Sequence, residues 1–260
     1  MEQTSDNDIK VKVEKLLAKE IIHFSLKGKG DCNYAYYVET SDGGKFIVKF
    51  EREQKETEDQ NDLVVEGNLI RSLRARGLKI PIPHIVLISD NPKSYAYDYI
   101  EGELLRGVWE SLPQEEKIDI CRSLGQFHAE IGKKFTREMS QAIGVDISES
   151  LGLRPKIIED QYNKLIVDID VPDKFKILAK EAKRIFDGTT DRVIFQFIHN
   201  DGHPENIIIK DKKISGIIDF GDAEYGEVAK EFSRYVRDLP DHFQYILSAY
   251  EEYSGHKLCY

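Results

Sequence analysis

A chain of 260 residues has the length for one large domain or two small ones with a real core. Charged residues make up 32% and the hydrophobic set 40%, which is globular composition and excludes a disordered or fibrous chain. Acids outnumber bases 47 to 37, for a net charge of −10, which argues against nucleic-acid binding and leaves room for a cationic small molecule as partner.

The first predicted element is a helix, in which Ile9, Val13, Leu16 and Leu17 recur at helical spacing with Asp6 and Asn7 ahead of them as caps. Tyr34 to Thr40 is aromatic and β-branched, Ser41-Asp42-Gly43-Gly44 is a turn signal, and Lys45 to Phe50 alternates. Together they predict a hairpin. In its second strand Phe46, Val48 and Phe50 share one face, and Lys45, Ile47 and Lys49 the other. The charged run from Glu51 to Asp62 reads as a solvated loop or helix entry. The next helix has Val65, Leu69, Ile70 and Leu73 as its apolar stripe and ends near Gly77. Pro81 and Pro83 mark a loop. Ile85 to Ile88 and Tyr95 to Ile100 read as two more strands.

Beyond Gly102 the character changes. Ile120, Cys121, Leu124, Phe127, His128 and Ile131 mark a long helix, and Phe175, Leu178, Ala182, Ile185 and Phe186 mark another. A short hairpin, Ile207 to Ile209 and Ile214 to Ile218, turns around Asp211-Lys212-Lys213. Strands first and helices later predict an α+β class with two lobes, residues 1–100 and 101–260, joined near Tyr99 to Gly102. No apolar run approaches the roughly 18–20 residues that span a bilayer. The polar first twenty residues are unlike a signal peptide. Cys32, Cys121 and Cys259 are widely spaced and odd in number, so a reducing cytoplasm without disulfides or zinc is expected.

The chemistry is concentrated in His199-Asn200-Asp201-Gly202-His203-Pro204-Glu205-Asn206 and in Ile217-Ile218-Asp219-Phe220-Gly221-Asp222. A turn at Asp211–Lys212 sets Asn206 across from Ile217 or Ile218, and Asp219 comes immediately after. Adjacent strands lie about 4.8 Å apart, so Asn206 and Asp219 emerge at one end of the hairpin. Asp201 lies on the loop feeding that end. Carboxylate and amide oxygens are hard ligands that suit Mg²⁺ bridged to phosphates, which leaves Asp201 to orient a hydroxyl and accept its proton.

His-x-Asp, an Asn five residues later and a hydrophobic hairpin ending in Asp-Phe-Gly resemble the kinase catalytic core. Protein kinases carry a lysine two residues after the catalytic Asp, where this chain has His203, and an Ala-Pro-Glu that it lacks. HNDGHPEN and, after it, GIIDFGDAEYG instead resemble the aminoglycoside phosphotransferase family and its small-molecule kinase relatives, over about residues 10 to 250. The resemblance implies a two-lobed protein-kinase-like fold, with an antiparallel sheet plus helix in the N-lobe and a mainly helical C-lobe. It also implies Mg²⁺-dependent transfer of the γ-phosphate of ATP or GTP.

On that resemblance Asp201 is catalytic, Asn206 and Asp219 hold Mg²⁺, and Lys49, fixed by Glu66, anchors the α- and β-phosphates. The residues themselves support the pair: Leu69, Ile70 and Leu73 stand at +3, +4 and +7 from Glu66, so its carboxylate shares the buried stripe and wants a cation. Gly28 and Gly30 belong to the nucleotide loop, where glycine lets backbone approach phosphate. Gly-x-Gly-x-x-x-x-Ala-Tyr resembles the 2″-type aminoglycoside kinases. Tyr97 to Gly102 matches the hinge, whose backbone at Asp98 and Ile100 reads the purine; the same aromatic cluster reads equally as lobe packing. His199 and Glu231 brace the catalytic loop, and His128 reads as a satisfied helix histidine. Asp222, Glu224, Asp238 and Asp241 are candidates for an acidic substrate wall, each also readable as solvated surface. Helices between 105 and 192 would build the acceptor pocket.

The expected acceptor is an aminoglycoside at its 2″-hydroxyl, in an antibiotic-resistance role. Choline, a sugar or a macrolide is the alternative acceptor class. A nucleotide-binding pseudokinase is disfavoured because every core residue is present. The expected state is a cytoplasmic monomer with a small cationic substrate and neither nucleic acid nor membrane as partner.

Overall fold

Residues 34–50 form the predicted hairpin. Strand β2 (Asn33–Thr40) pairs with β3 (Lys45–Glu51) from Asn33↔Glu51 to Glu39↔Lys45. Thr40 Oγ1 donates to Asp42 Oδ1 (2.6 Å) and Gly43 takes a φ of +87° to close the turn. The computed structural model describes residues 6–30, 33–52, 62–148, 154–169, 171–189 and 193–258. With β1 (Ile21–Lys29), β4 (Ile85–Asp90) and β5 (Lys93–Asp98), the hairpin completes a five-stranded antiparallel sheet ordered β1-β2-β3-β5-β4.

β3 is the middle strand, paired along both edges, and both of its faces are covered. Phe46, Val48 and Phe50 pack with Ile9 and Val13 of α1 (Asp6–Leu17). Ile47 packs instead with Leu69, Ile70 and Leu73 of α2 (Leu63–Arg74). Lys49, two residues from Ile47, is thereby carried toward α2. Asp6 and Asn7 stand at the start of helix α1, and the Asp6 side chain lies outside the described residues. Helix α2 is capped by Asp62, whose Oδ1 accepts from the Val64 N–H (2.8 Å), and the chain leaves it through Gly77 at φ +63°. Most of the charged run before it, residues 53–61, lies outside the described residues.

β5 ends two residues earlier than expected, because its register is set by pairing with β3 from Phe46↔Asp98 to Phe50↔Ser94. The chain then turns at Gly102 (φ +138°), where a Cβ would stand 2.4 Å from the Ile209 carbonyl oxygen.

Helices dominate the rest of the chain. After β6 (Glu103–Leu104) come α3 (Leu105–Val108), α4 (Gln114–Lys134), α5 (Arg137–Ile143), β7 (Asp146–Ile147), α6 (Arg154–Val167) and α7 (Asp173–Thr189). The chain continues through β8 (Phe195–Ile198), the hairpin β9 (Ile207–Lys210) and β10 (Lys213–Ile217), β11 (Glu224–Glu227), α8 (Val228–Asp238) and α9 (Phe243–Ser254). Two small sheets, β10-β9-β6 and β7-β11-β8, lie among them. Helices α4 and α9 meet backbone to backbone: a Cβ on Gly125 would lie 2.1 Å from the Ile246 oxygen. One apolar cluster runs from Ile47 and α2 through α4 to Phe232 and Tyr250. The α7 stripe differs from expectation. Phe175 and Leu178 are exposed, the helix packing on α6, and the side chains of Ala182, Ile185 and Phe186 lie outside the described residues. Among the described residues, no helix is long and apolar enough to cross a membrane.

Candidate active site

The β9–β10 hairpin turns at Asp211 (φ +50°) and Lys212 (φ +61°), the paired left-handed geometry of a two-residue hairpin turn. Ile217 therefore faces Ile207, and the Ile218 N–H donates to the Asn206 carbonyl (3.0 Å). Asp219 comes next with φ +65°, a conformation that Asp and Asn adopt more readily than other side chains with a Cβ. Asn206 and Asp219 thus leave the same end of the hairpin, as its spacing requires.

Lys49 reaches this point from β3. Its Nζ lies 3.0 Å from Glu66 Oε1 and 2.6 Å from Asp219 Oδ1. Glu66 Oε1 also accepts the Phe220 N–H (3.0 Å), so α2, β3 and the Asp-Phe-Gly turn meet at one carboxylate. Lys49 and Glu66 are 6% and 4% exposed, which makes the pair nearly dry, whereas the Asp219 side chain is 44% exposed. Burial disfavours the Lys49 ammonium, but Asp219 and Glu66 outweigh it and hold its pKa up. Burial raises the Glu66 carboxyl more than Lys49 lowers it, while Lys49 keeps Asp219 below the usual range against its desolvation.

Asp201 sits where loop and hairpin meet. Asn206 Nδ2 donates to Asp201 Oδ2 (2.7 Å) and to its carbonyl (2.9 Å). His203 Nε2 stands 3.4 Å from Oδ2, and Arg234 Nη2 3.1 Å from Oδ1. Burial raises the Asp201 carboxyl, but His203 and Arg234 outweigh it and hold it low. His199 Nε2 donates to the Ile218 carbonyl (3.0 Å) and its Nδ1 accepts the Asp201 N–H (3.2 Å). Those two bonds require the neutral Nε2–H tautomer, and burial lowers the pKa accordingly. Glu231 Oε2 accepts the Asn200 N–H (2.9 Å).

His128 is only half satisfied. Its Nε2 bonds Tyr235 OH (2.8 Å), while its Nδ1 and Glu231 Oε1 face each other at 3.6 Å, both buried without a hydrogen-bond partner. Gly202 is pressed onto the same group: a Cβ there would lie 2.5 Å from Tyr235 OH and 2.8 Å from Glu231 Oε1.

The other expected positions are dispersed. Gly28 lies within β1 opposite Ala35, just past a register shift. Gly30 closes the turn by donating to the Asn33 carbonyl (3.0 Å), and its own oxygen accepts from Arg52 Nη1 (2.8 Å). Cys32 and Cys259 lie outside the described residues. The Asp98 carboxylate is engaged by His84 Nδ1 (2.7 Å), and the Ile100 side chain rests on Gly216. Of the four acids proposed as a wall, Glu224 is buried against Lys230 (2.8 Å) and Asp238 is paired with Arg237 (2.8 Å). Asp222 and Asp241 are exposed, and the Asp222 carbonyl accepts from Asn200 Nδ2 (3.0 Å). Two arginines meet the same loop: Arg106, paired with Glu205 (2.7 Å), and Arg234, paired with Asp201 (3.1 Å).

Among the described residues, no three His, Cys, Asp or Glu side chains could hold a metal together. Asn206 and Asp219 supply hard oxygen donors, the amide nitrogen of Asn206 being turned to Asp201. That donor set suits Mg²⁺, which takes few protein ligands and completes its shell with phosphate and water.

The sequence pattern described as the phosphotransferase enzyme family matches residues 28–255. Residues along 26% of the chain are 32% identical, over 68 positions, to the KEOPS complex subunit Bud32 of Pyrococcus abyssi (strain GE5 / Orsay), spanning 29% of that protein. Solved structures share the fold at low identity. The streptomycin–ATP–APH(2″)-IIa ternary complex superposes with a TM-score of 0.69 at 18% identity, covering 95% of this chain and 82% of that one. The GDP and kanamycin complex of APH(2″)-IIIa gives 0.73 at 19% identity, with 95% and 82% covered. The macrolide 2′-phosphotransferase MphH from Brachybacterium faecium gives 0.67 at 16% identity, with 95% and 83% covered.

Proposed function

The chain belongs to the phosphotransferase enzyme family, a group of kinase-like enzymes, and from that premise we propose Mg²⁺-dependent transfer of a γ-phosphate from ATP or GTP to a small-molecule hydroxyl. The observation that carries this reading is the convergence of Asp201, Asn206, Asp219 and the Lys49–Glu66 pair on one hairpin end. Asp201 orients the acceptor hydroxyl and takes its proton. Asn206 and Asp219 hold Mg²⁺, which when bound screens phosphate charge. Lys49 exchanges its contact with Asp219 for the α- and β-phosphates, and Glu66 keeps it in place. His199 and Glu231 hold the loop so that positioning and charge supply most of the rate.

Gly28 and Gly30 fit a nucleotide loop, since nothing among the described residues demands glycine there. Neither has a left-handed φ, and a Cβ would meet no atom closer than 3.6 Å. Open space on that side suits an approaching phosphate. The backbone at Asp98 and Ile100 reads the purine. Residues 1–100 serve the nucleotide and residues 101–260 the acceptor, in a cytoplasmic monomer.

The acceptor in this reading is an aminoglycoside, phosphorylated at its 2″-hydroxyl in a resistance role. The net charge of −10 and the exposed Asp222 and Asp241 support a polycation. A second reading, a macrolide or another alcohol of low charge, draws on Glu224 and Asp238 being neutralised by Lys230 and Arg237. Purified protein with Mg²⁺, given ATP and GTP separately, is offered kanamycin, gentamicin, a macrolide, choline and a simple sugar. Transfer to kanamycin or gentamicin with a KM that rises with salt supports the first reading, because exposed charge pairs are screened. Transfer only to the others overturns it and leaves the kinase chemistry standing. Nucleotide binding with no transfer to anything would make the chain a pseudokinase.

A further inference from the structure

Three consecutive residues of the candidate catalytic loop lie against side chains of α8. Glu231 Oε2 takes the Asn200 N–H (2.9 Å), Arg234 Nη2 meets Asp201 Oδ1 (3.1 Å), and Tyr235 OH crowds Gly202. Glu231, Arg234 and Tyr235 stand at i, i+3 and i+4, which is one face of a helix. Glu231 and Tyr235 are buried, Glu231 on the Asn200 N–H and Tyr235 on His128 Nε2. Of the three, only Arg234 reaches the carboxylate, and its side chain is 36% exposed.

We infer that Arg234 is a positioning residue for phosphoryl transfer, fixing the plane of the Asp201 carboxylate; this rests on Asp201 being the group that meets the acceptor. The terminal torsion of an aspartate is broad and roughly two-fold, so one contact does not set it. Here both oxygens are engaged, Oδ2 by Asn206 Nδ2 at 2.7 Å and Oδ1 by Arg234. The carboxylate can then rotate only by breaking one of the two. Fixed direction matters more than basicity for this chemistry, because the loose transition state of phosphoryl transfer asks for little proton removal and much alignment. A half-exposed ion pair adds little to stability, so the effect belongs in turnover. The guanidinium also brings a positive charge to within 3.1 Å of Asp201 Oδ1.

The test compares Arg234→Met, Arg234→Lys, Asp201→Asn and the Asp201→Asn/Arg234→Met double variant. The readouts are phosphate release from Mg²⁺·ATP and Mg²⁺·GTP with water as acceptor, nucleotide Kd by calorimetry, and Tm. Arg234→Met should lower kcat on the order of 10–100-fold with Kd and Tm unchanged. Arg234→Lys, which keeps the charge and loses the fork, should recover part of it. In the Asp201→Asn background Arg234→Met should cost nothing further, because the two act as one unit. Unchanged or raised turnover in Arg234→Met overturns the inference, and so do additive losses in the double variant. Release that survives Asp201→Asn is a different failure: it removes Asp201 as the reacting carboxylate, whatever Arg234 does.

Discussion

Lys49 Nζ lies nearer to Asp219 Oδ1 (2.6 Å) than to Glu66 Oε1 (3.0 Å), so one ammonium is divided between a dry carboxylate and a half-exposed one. The division gives each partner a different sensitivity to mutation.

Removing the lysine strands Glu66. Its carboxylate is buried, and breaking a buried pair from one side costs about 3–5 kcal/mol. Lys49→Met should therefore lower the unfolding midpoint in denaturant as well as weaken nucleotide binding. Glu66→Gln should be milder, since an amide oxygen still accepts the Phe220 N–H. Denaturant melts with calorimetry separate the two effects. A Lys49→Met protein as stable as the parent would mean that Glu66 is protonated in the folded state.

Removing the exposed partner tests the metal. Asp219→Asn and Asp219→Ala should both lose the Mg²⁺-dependent part of nucleotide affinity, read by titration with and without Mg²⁺. Only the alanine variant should also lose stability, by about 1–2 kcal/mol, because φ at this position is +65°. Metal dependence preserved in both would assign Mg²⁺ to other residues.

Gly202 has no room for a methyl group. With Tyr235 OH 2.5 Å and Glu231 Oε1 2.8 Å from an added Cβ, Gly202→Ala must displace the loop or α8. Overpacking of this kind costs about 1–3 kcal/mol. A fall in Tm with a larger fall in turnover is expected. Tyr235→Phe, which removes the hydroxyl, should restore part of both in the double variant. Additive damage would show that the clash lies elsewhere.

His128 predicts a pH dependence. Burial pushes its pKa down from 6.5 to about 3, so below pH 6.5 the unfolded chain binds a proton that the folded chain refuses. The unfolded state then holds more protons, and stability must fall as pH drops from about 6.5 toward 3. The slope from this one group is at most about 1.4 kcal/mol per pH unit. His128→Gln should flatten the Tm profile between pH 6.5 and 5 even if it melts lower at pH 7. An equally steep profile in the variant would shift the cause to the other buried imidazole, His199.

The parts of the site that could be read from sequence are those whose geometry is local. A turn at Asp211–Lys212 fixes the register that sets Asn206 beside Asp219, and helical spacing alone puts Glu66 on the stripe of Leu69, Ile70 and Leu73. The Arg234 contact was not legible, because it depends on how Phe232, on the opposite side of α8, seats that helix in the core. The i, i+3, i+4 spacing of Glu231, Arg234 and Tyr235 was available as a signal, but it names a face without saying what the face meets. Strands β6, β7, β8 and β11 span two to four residues each, too short for a period of two to register. Helix α7 was legible as a helix from its repeat. Its burial was not, since periodicity does not report whether a partner is present.

The close crossing of α4 and α9 has a consequence for how the chain is made. The buried residues beneath α1 all lie between Ile9 and Ala96, so that layer has its full set of contacts early in translation. Gly125, in contrast, must wait for Ile246 before α4 has a neighbour at its backbone. At roughly 5–20 residues per second the interval is on the order of ten seconds, during which the Gly125 face of α4 has no α9 against it. A nascent chain stalled in that window presents a finished sheet attached to an open apolar helix. Such a species exposes apolar surface that the finished fold covers, which makes it prone to aggregate.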